Sequence, residues 1–389
     1  MAENCFVAAL KELDPNLFLR LHSEITEERL GSYLQPLADV LAPSQTVRHT
    51  RAPVLEQLLQ TEGVLKQTNV HFERDYQKTG NCVLLLGRQP RCKRIWLMAH
   101  LDIISYFVES ATDDGYLLLP FCYHMMHPGQ RAAAAVAYDL ETCGYGVAAH
   151  GDIVTEADGK ILFKPLHRVS LHPGHRICFH SRLSWDRDSG QLRGNLDDVG
   201  GAVALVLAAI ILADYDVELM VGLTDEEEGV SATGNQTIGR GGARLLRYFD
   251  QPELVIVSHI HEAVPMLEGS GPVGLEPGGG ACFAEKASRG RGAVTPPPLY
   301  ELQRKLASEL TGEGIRLREN RGGYIGRSEG VNAMLRTPNV ALIGFLGENR
   351  HFDRDVTSAN IRDLVDLARA VICLVLLTQT PIWREVLGL

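Results

Sequence analysis

From about residue 190 onward, short apolar runs alternate with segments of helical period. Val217–Leu223, Leu254–Val257 and Val340–Phe345 read as core strands. Val199–Leu212, a helix closing at Leu245–Phe249, Leu299–Leu310 and Ile361–Leu377 read as the helices between and after them. This alternation constrains the chain more than any other feature. It predicts an α/β fold, a mostly parallel sheet flanked by helices on both faces. Val199–Leu212 carries no polar side chain, so it predicts a helix buried all round.

Upstream, residues 27 to 60 read as helical. Leu30, Leu34, Leu37 and Leu41 recur at spacings of three and four, as do Val54, Leu55, Leu58 and Leu59, with Pro43 and Pro53 as punctuation. Cys82–Leu86 and Ile95–Met98 are short apolar runs and predict paired core strands. Between 107 and 189 short apolar pieces alternate with turn signals such as Asp113-Asp114-Gly115 and His172-Pro173-Gly174. The alanine run Ala132–Ala137 is the one stretch there with helical character. The expectation is a small inserted β-rich domain at 107–189, dividing a catalytic domain into 1–106 and 190–389.

Composition narrows the function classes. Charged residues are 22% and hydrophobic residues 45%, which excludes a disordered chain, a coiled coil or a collagen-like fibre. Lys and Arg number 38 against 48 Asp and Glu, with no long basic run, so nucleic acid is a poor partner. The eight cysteines form no C-x-x-C pair and read as reduced thiols. No basic-then-apolar leader opens the sequence. The run Val199–Leu212 falls short of the roughly 20 residues of a membrane span. A cytoplasmic protein without membrane contact is expected.

Ligands in open α/β sheets gather at the carboxyl ends of strands, and four polar clusters fall there. His100 and Asp102 follow one strand, two apart and so on one side. Asp197 and Asp198 precede the apolar helix, where an N-cap alone accounts for an acid. Asp225, Glu226, Glu227 and Glu228 follow another strand; they form either a solvated turn or a set in which one Glu binds metal and its neighbour moves protons. His259 and His261 follow the strand Leu254–Val257, and His351 follows Val340–Phe345. Any one of these is ordinary. Together they predict a crevice lined with metal-ligand side chains.

With these residues the chain resembles the co-catalytic metallo-aminopeptidases, and most closely the tetrahedral (TET) or glutamyl aminopeptidase family. The resemblance runs from Gly80-Asn81 to the last helix and includes the place of the β insertion. It implies that His100 binds a metal, that Asp102 orients it, and that Asp197 bridges two ions. With Gly229 holding the register, it makes Glu226 the general base and Glu227 a ligand. His351 closes the second site; Asp353 is the alternative by ungapped counting from Ile361, while His351 and Asp355 keep a His-x-x-x-Asp spacing. Where the family has a carboxylate ligand, this chain reads Ser258-His259-Ile260-His261-Glu262, which makes His259 the first choice and His261 the second. His259 adds a positive unit to the shell, so its ion should be held more weakly, leaving one metal or two.

The resemblance implies zinc, with cobalt or manganese fitting the same donors. Two ions about 3.5–4 Å apart would activate water against an amide. The implied substrate is a peptide or small amide, and the implied assembly a homo-oligomer. Two other readings stay open: a deacylase or amidase acting on an N-acyl compound with the same core, and a non-catalytic scaffold. Arg318, Arg321 and Arg327 are candidates for favouring acidic substrates or are simply solvated.

Overall fold

A computed structural model describes residues 5–121, 127–229, 239–263, 274–322, 324–326 and 328–387. Its centre is four parallel strands in the order Leu219–Thr224, Ile95–His100, Leu254–Glu262 and Val340–Glu348. All but the last residue of the fourth strand are buried, as strands covered on both faces must be. Antiparallel strands extend the sheet on both sides. Cys82–Leu86 and Val70–Glu73 lie beyond Leu219–Thr224. Ser358–Asn360, Gln191–Arg193 and Ser184–Trp185 lie beyond Val340–Glu348.

The pairing of Cys82–Leu86 with Ile95–His100 needs correction. Leu219–Thr224 lies between them, antiparallel to the first and parallel to the second. Two adjacent apolar runs suggest a local pair, but a strand from far along the chain takes the central place. The strand Leu254–Glu262 also runs past Val257, so His259 and His261 sit within it rather than after it.

Val199–Leu212 is a helix with every residue buried. Ile361–Leu377 is the final long helix, with Asn360 capping its start through a bond from the Arg362 amide. Glu27–Ala38 and Arg51–Thr61 supply the upstream helical layer. Among the described residues no helix is long and apolar enough to cross a membrane.

Six antiparallel strands between Tyr106 and Phe179 close into a barrel. The alanine run belongs to its strand Gly129–Asp139, which is a second correction. Alanine favours helix intrinsically, yet here Ala133, Ala134 and Ala135 pair with Phe179, Cys178 and Ile177 across a tight barrel wall. Seven described cysteines are free thiols, and Cys122 lies outside the described residues.

Candidate metal centre

Parallel register brings the site together. Thr224 pairs with His100 at the ends of their strands, and Met98 pairs with Val257, two residues before His259. Side chains at these ends therefore face one crevice. Asp197 enters from the loop ahead of the buried helix, and His351 from the loop after Val340–Glu348.

His100 is fully buried. Its Nδ1 lies 3.1 Å from the main-chain carbonyl of Asp102 and 3.7 Å from that residue's carboxylate, leaving Nε2 to face the crevice. Nε2 is 3.5 Å from Asp197 Oδ1 and 4.0 Å from Glu227 Oε2. His259 approaches the same acids, at 3.7 Å from Asp197 Oδ1 and 3.8 Å from Glu227 Oε1. His351 Nε2 stands 3.3 Å from Asp197 Oδ2 and 2.8 Å from Glu228 Oε1. Asp197 thus turns one oxygen to His100 and His259 and the other to His351.

Asp102 does more than face an imidazole. Its carboxylate accepts the amides of Glu227 and Glu228 and the hydroxyl of Ser44, the last at 2.6 Å. It therefore ties the acid loop to the strand that carries His100.

Glu226, which the resemblance implies as the base, stands apart from the cluster. Its φ of +61° turns the chain so that its carboxylate pairs with Arg240, at 3.0 Å, and with Arg244. Glu228, passed over in the sequence, takes a place in the cluster instead. Among the histidines, His261 is held by Asn320, its Nδ1 3.0 Å from that amide. Asp355 is exposed on Arg193, and Asp353 gives its main-chain carbonyl to Arg131. Arg318 is spent on the carbonyls of Glu276 and Gly280, and Arg321 on Glu319. Arg327 lies outside the described residues.

The charges shape one another. Burial opposes a proton on His100, but Glu227, Asp197 and Asp102 outweigh it and hold its pKa well above the usual range. Burial and Arg350 oppose a proton on His351, yet Glu228 and Asp197 raise it to about 10. Burial would raise Asp197, but His259, His100, His351 and Arg350 hold it well below the ordinary carboxylate range. Behind the cluster, burial pushes Asp198, Glu262 and Glu329 to about 7.

This donor set fits divalent cations. Two overlapping triads, His100 with Glu227 and His259, and His100 with Asp197 and Glu228, each bring ligand atoms within 4.8 Å of one another. His100 Nε2, His259 Nε2 and both Asp197 oxygens are buried without a hydrogen-bond partner among the described residues. Leaving four such atoms unsatisfied is costly, and divalent cations would satisfy them. Gly326 keeps the space beside His259 open, since a Cβ there would stand 2.2 Å from Nε2.

No protein-family model matches the chain, and no curated protein does. Solved structures do. A TET aminopeptidase from a marine sediment Thaumarchaeota archaeon superposes with a TM-score of 0.67 at 16% identity, covering 90% of this chain and 96% of that one. The TET1 peptidase of Pyrococcus horikoshii, described as assembling into a tetrahedron or a large octahedral shell, gives 0.63 at 17%, covering 89% and 99%. A Thermotoga maritima protein described as an endoglucanase gives 0.58 at 16%, covering 88% and 96%. The chain has the fold of the TET aminopeptidases. At these identities the likeness concerns fold, and the activities named for these proteins differ among themselves.

Proposed function

We propose that the chain is a metal-dependent peptidase of the aminopeptidase kind, cleaving an amide next to a free amino group. The observation that carries this reading is the convergence of three imidazoles and three carboxylates from five chain segments on one buried crevice. His100 and His259 with Asp197 Oδ1 would hold one ion, and His351 and Glu228 with Asp197 Oδ2 a second. Bound divalent cations supply an ionised water and polarise the substrate carbonyl. Zinc suits the mixed nitrogen and oxygen donors, with cobalt or manganese as alternatives.

Glu227 is then the proton carrier. Its oxygens lie within about 4 Å of both His100 and His259, and although it could complete a triad with them, we assign that ion to Asp197 and keep the Glu227 carboxylate for the proton. It takes the proton of the attacking water and returns it to the leaving amine. The base-then-ligand order of the acid pair is kept, moved one residue along to Glu227 and Glu228. Asp102 and Ser44 hold that pair in place through the loop amides. By analogy with the assembling TET1 peptidase, we read the chain as a homo-oligomer.

Hydrolysis of aminoacyl amides by protein loaded with zinc, cobalt or manganese tests the reading, with anomalous scattering to count ions. Metal-dependent release of the amine is expected. Ions bound at these side chains without turnover on any such amide would leave the scaffold reading in its place.

A further inference from the structure

Arg350 is a charged group in the site wall that the proposed reaction does not use. Its side chain is 11% exposed, more than those of Asp197, Glu227, Glu228, Glu262 or His351. One terminal nitrogen lies 3.6 Å from Asp197 Oδ2 and Nε lies 3.6 Å from Glu262 Oε1, both beyond hydrogen-bond reach. The guanidinium sits over the Tyr324 ring, 5.2 Å from its centroid. It makes no hydrogen bond among the described residues. A mostly buried fork of five N–H donors that meets two carboxylates only at ion-pair distance has, among the described residues, hydrogen bonds left to make.

A second donor faces the same depression. Asn195, Asp197, Glu228, Arg350, His351 and Phe352 share its lining. The side-chain amide nitrogen of Asn195 is buried there without a hydrogen-bond partner. A planar guanidinium held only at ion-pair distance and an orphaned amide thus stand together beside the Asp197 oxygen that faces His351. A carboxylate matches such a fork with two parallel bonds.

We propose that Arg350, aided by Asn195, binds the substrate's C-terminal carboxylate one residue beyond the scissile amide, which makes dipeptides the preferred substrates. The spacing selects for length. A carboxylate one residue past the amide lies roughly 4 Å from the reacting carbonyl, and each added residue moves it about 3.5 Å further away. Arg350 adjoins His351 in sequence and lies 3.6 Å from Asp197 Oδ2, and the first of these distances is where the proposal sets its guanidinium. The proposal rests on the peptidase reading.

The test compares a dipeptide, its C-terminal amide and the tripeptide extended by one residue, all with zinc-loaded protein. The free dipeptide should be favoured in kcat/KM by roughly 10- to 100-fold, the worth of a charge-assisted pair. In Arg350→Met that ratio should fall to near one, with Arg350→Lys between, and melting curves show that each variant is folded. In parallel, metal-free protein is titrated with N-acetylglycine and with N-acetylglycinamide. The acid should bind, the amide should not, and Arg350→Met or Asn195→Ala should weaken the acid's binding. Equal turnover of dipeptide and amide, or a ratio that survives Arg350→Met, overturns the proposal and leaves the peptidase reading standing. If no amide is hydrolysed, the peptidase reading fails, and the N-acetylglycine titration alone decides whether Arg350 holds a carboxylate.

Discussion

Three consecutive glutamates do three different things here, because the backbone turns at the first of them. Glu226 is clasped by Arg240 and Arg244, Glu227 faces His100 and His259, and Glu228 faces His351. The sequence made the acid run legible as a site. It did not make the register legible, because Gly229 fixes a count along the chain and not a direction in space. Only the φ of +61° at Glu226 does that. Glu227→Gln should therefore lower kcat by roughly 10²- to 10⁴-fold, the usual worth of a general base, with metal content unchanged. Glu226→Gln should cost far less. Steady-state kinetics with metal analysis decides, and the reverse ranking would restore Glu226 as the base.

Protonation at the same residues makes a second prediction. In the metal-free fold His351 keeps its proton up to about pH 10, against 6.5 as the ordinary value. That stabilisation is complete below pH 6.5 and is lost as pH rises toward 10. Asp198 and Glu262 are raised to about 7 by burial, so ionising them also costs stability as pH rises from about 4 to 7. Both effects have one sign. His261, whose pKa burial lowers to about 3, works the other way below about pH 6.5, so the chelated protein should melt at progressively lower temperature from pH 6.5 to pH 10. Zinc should flatten that slope by replacing the protons. A chelated protein most stable at pH 9 would contradict this account.

At the scale of elements, what was legible follows from range. Apolar runs and helical periods are local, so Val199–Leu212 and Ile361–Leu377 emerge with the expected ends. Strand order is not local, and Leu219–Thr224 entered between two runs that seemed natural partners. The alanines of Gly129–Asp139 carry no period strong enough to separate strand from helix. The register that matters most pairs His259 with Gly344. A Cβ at Gly344 would lie 1.8 Å from the His259 carbonyl oxygen and 3.0 Å from the His261 ring. Backbone cannot yield there without parting two central strands. Gly344→Ala should cost about 1–3 kcal/mol of stability, as overpacked cores do, and weaken binding of the ion proposed for His100 and His259. Thermal melts and metal titration would show both, and a variant melting like wild type would mean the strands separate more freely than their burial implies.

The barrel and the sheet meet where the site needs them to. Phe352, next to His351, turns away from the metal-ligand cluster and stacks on Phe179 of the barrel, with ring centroids 4.9 Å apart. Arg131 of the barrel donates to the Asp353 carbonyl at 2.5 Å and to the His127 carbonyl at 3.0 Å. Phe352 holds a φ of +57°, a conformation that bulky residues rarely adopt. Packing against the barrel is what sustains it. The loop bearing Arg350 and His351 is therefore shaped from the inserted domain, a relation that no local pattern in the sequence encodes. Phe352→Ala removes a buried ring at a cost of about 3 kcal/mol and releases this loop. The two halves of the site should then come apart: the ion on His100 and His259 stays, and the ion on Glu228 and His351 is lost at lower chelator concentration. Stepwise chelation with metal counting reads this directly. Loss of both ions together would mean that the barrel acts on overall stability, whereas selective loss makes the insertion a working part of the metal centre.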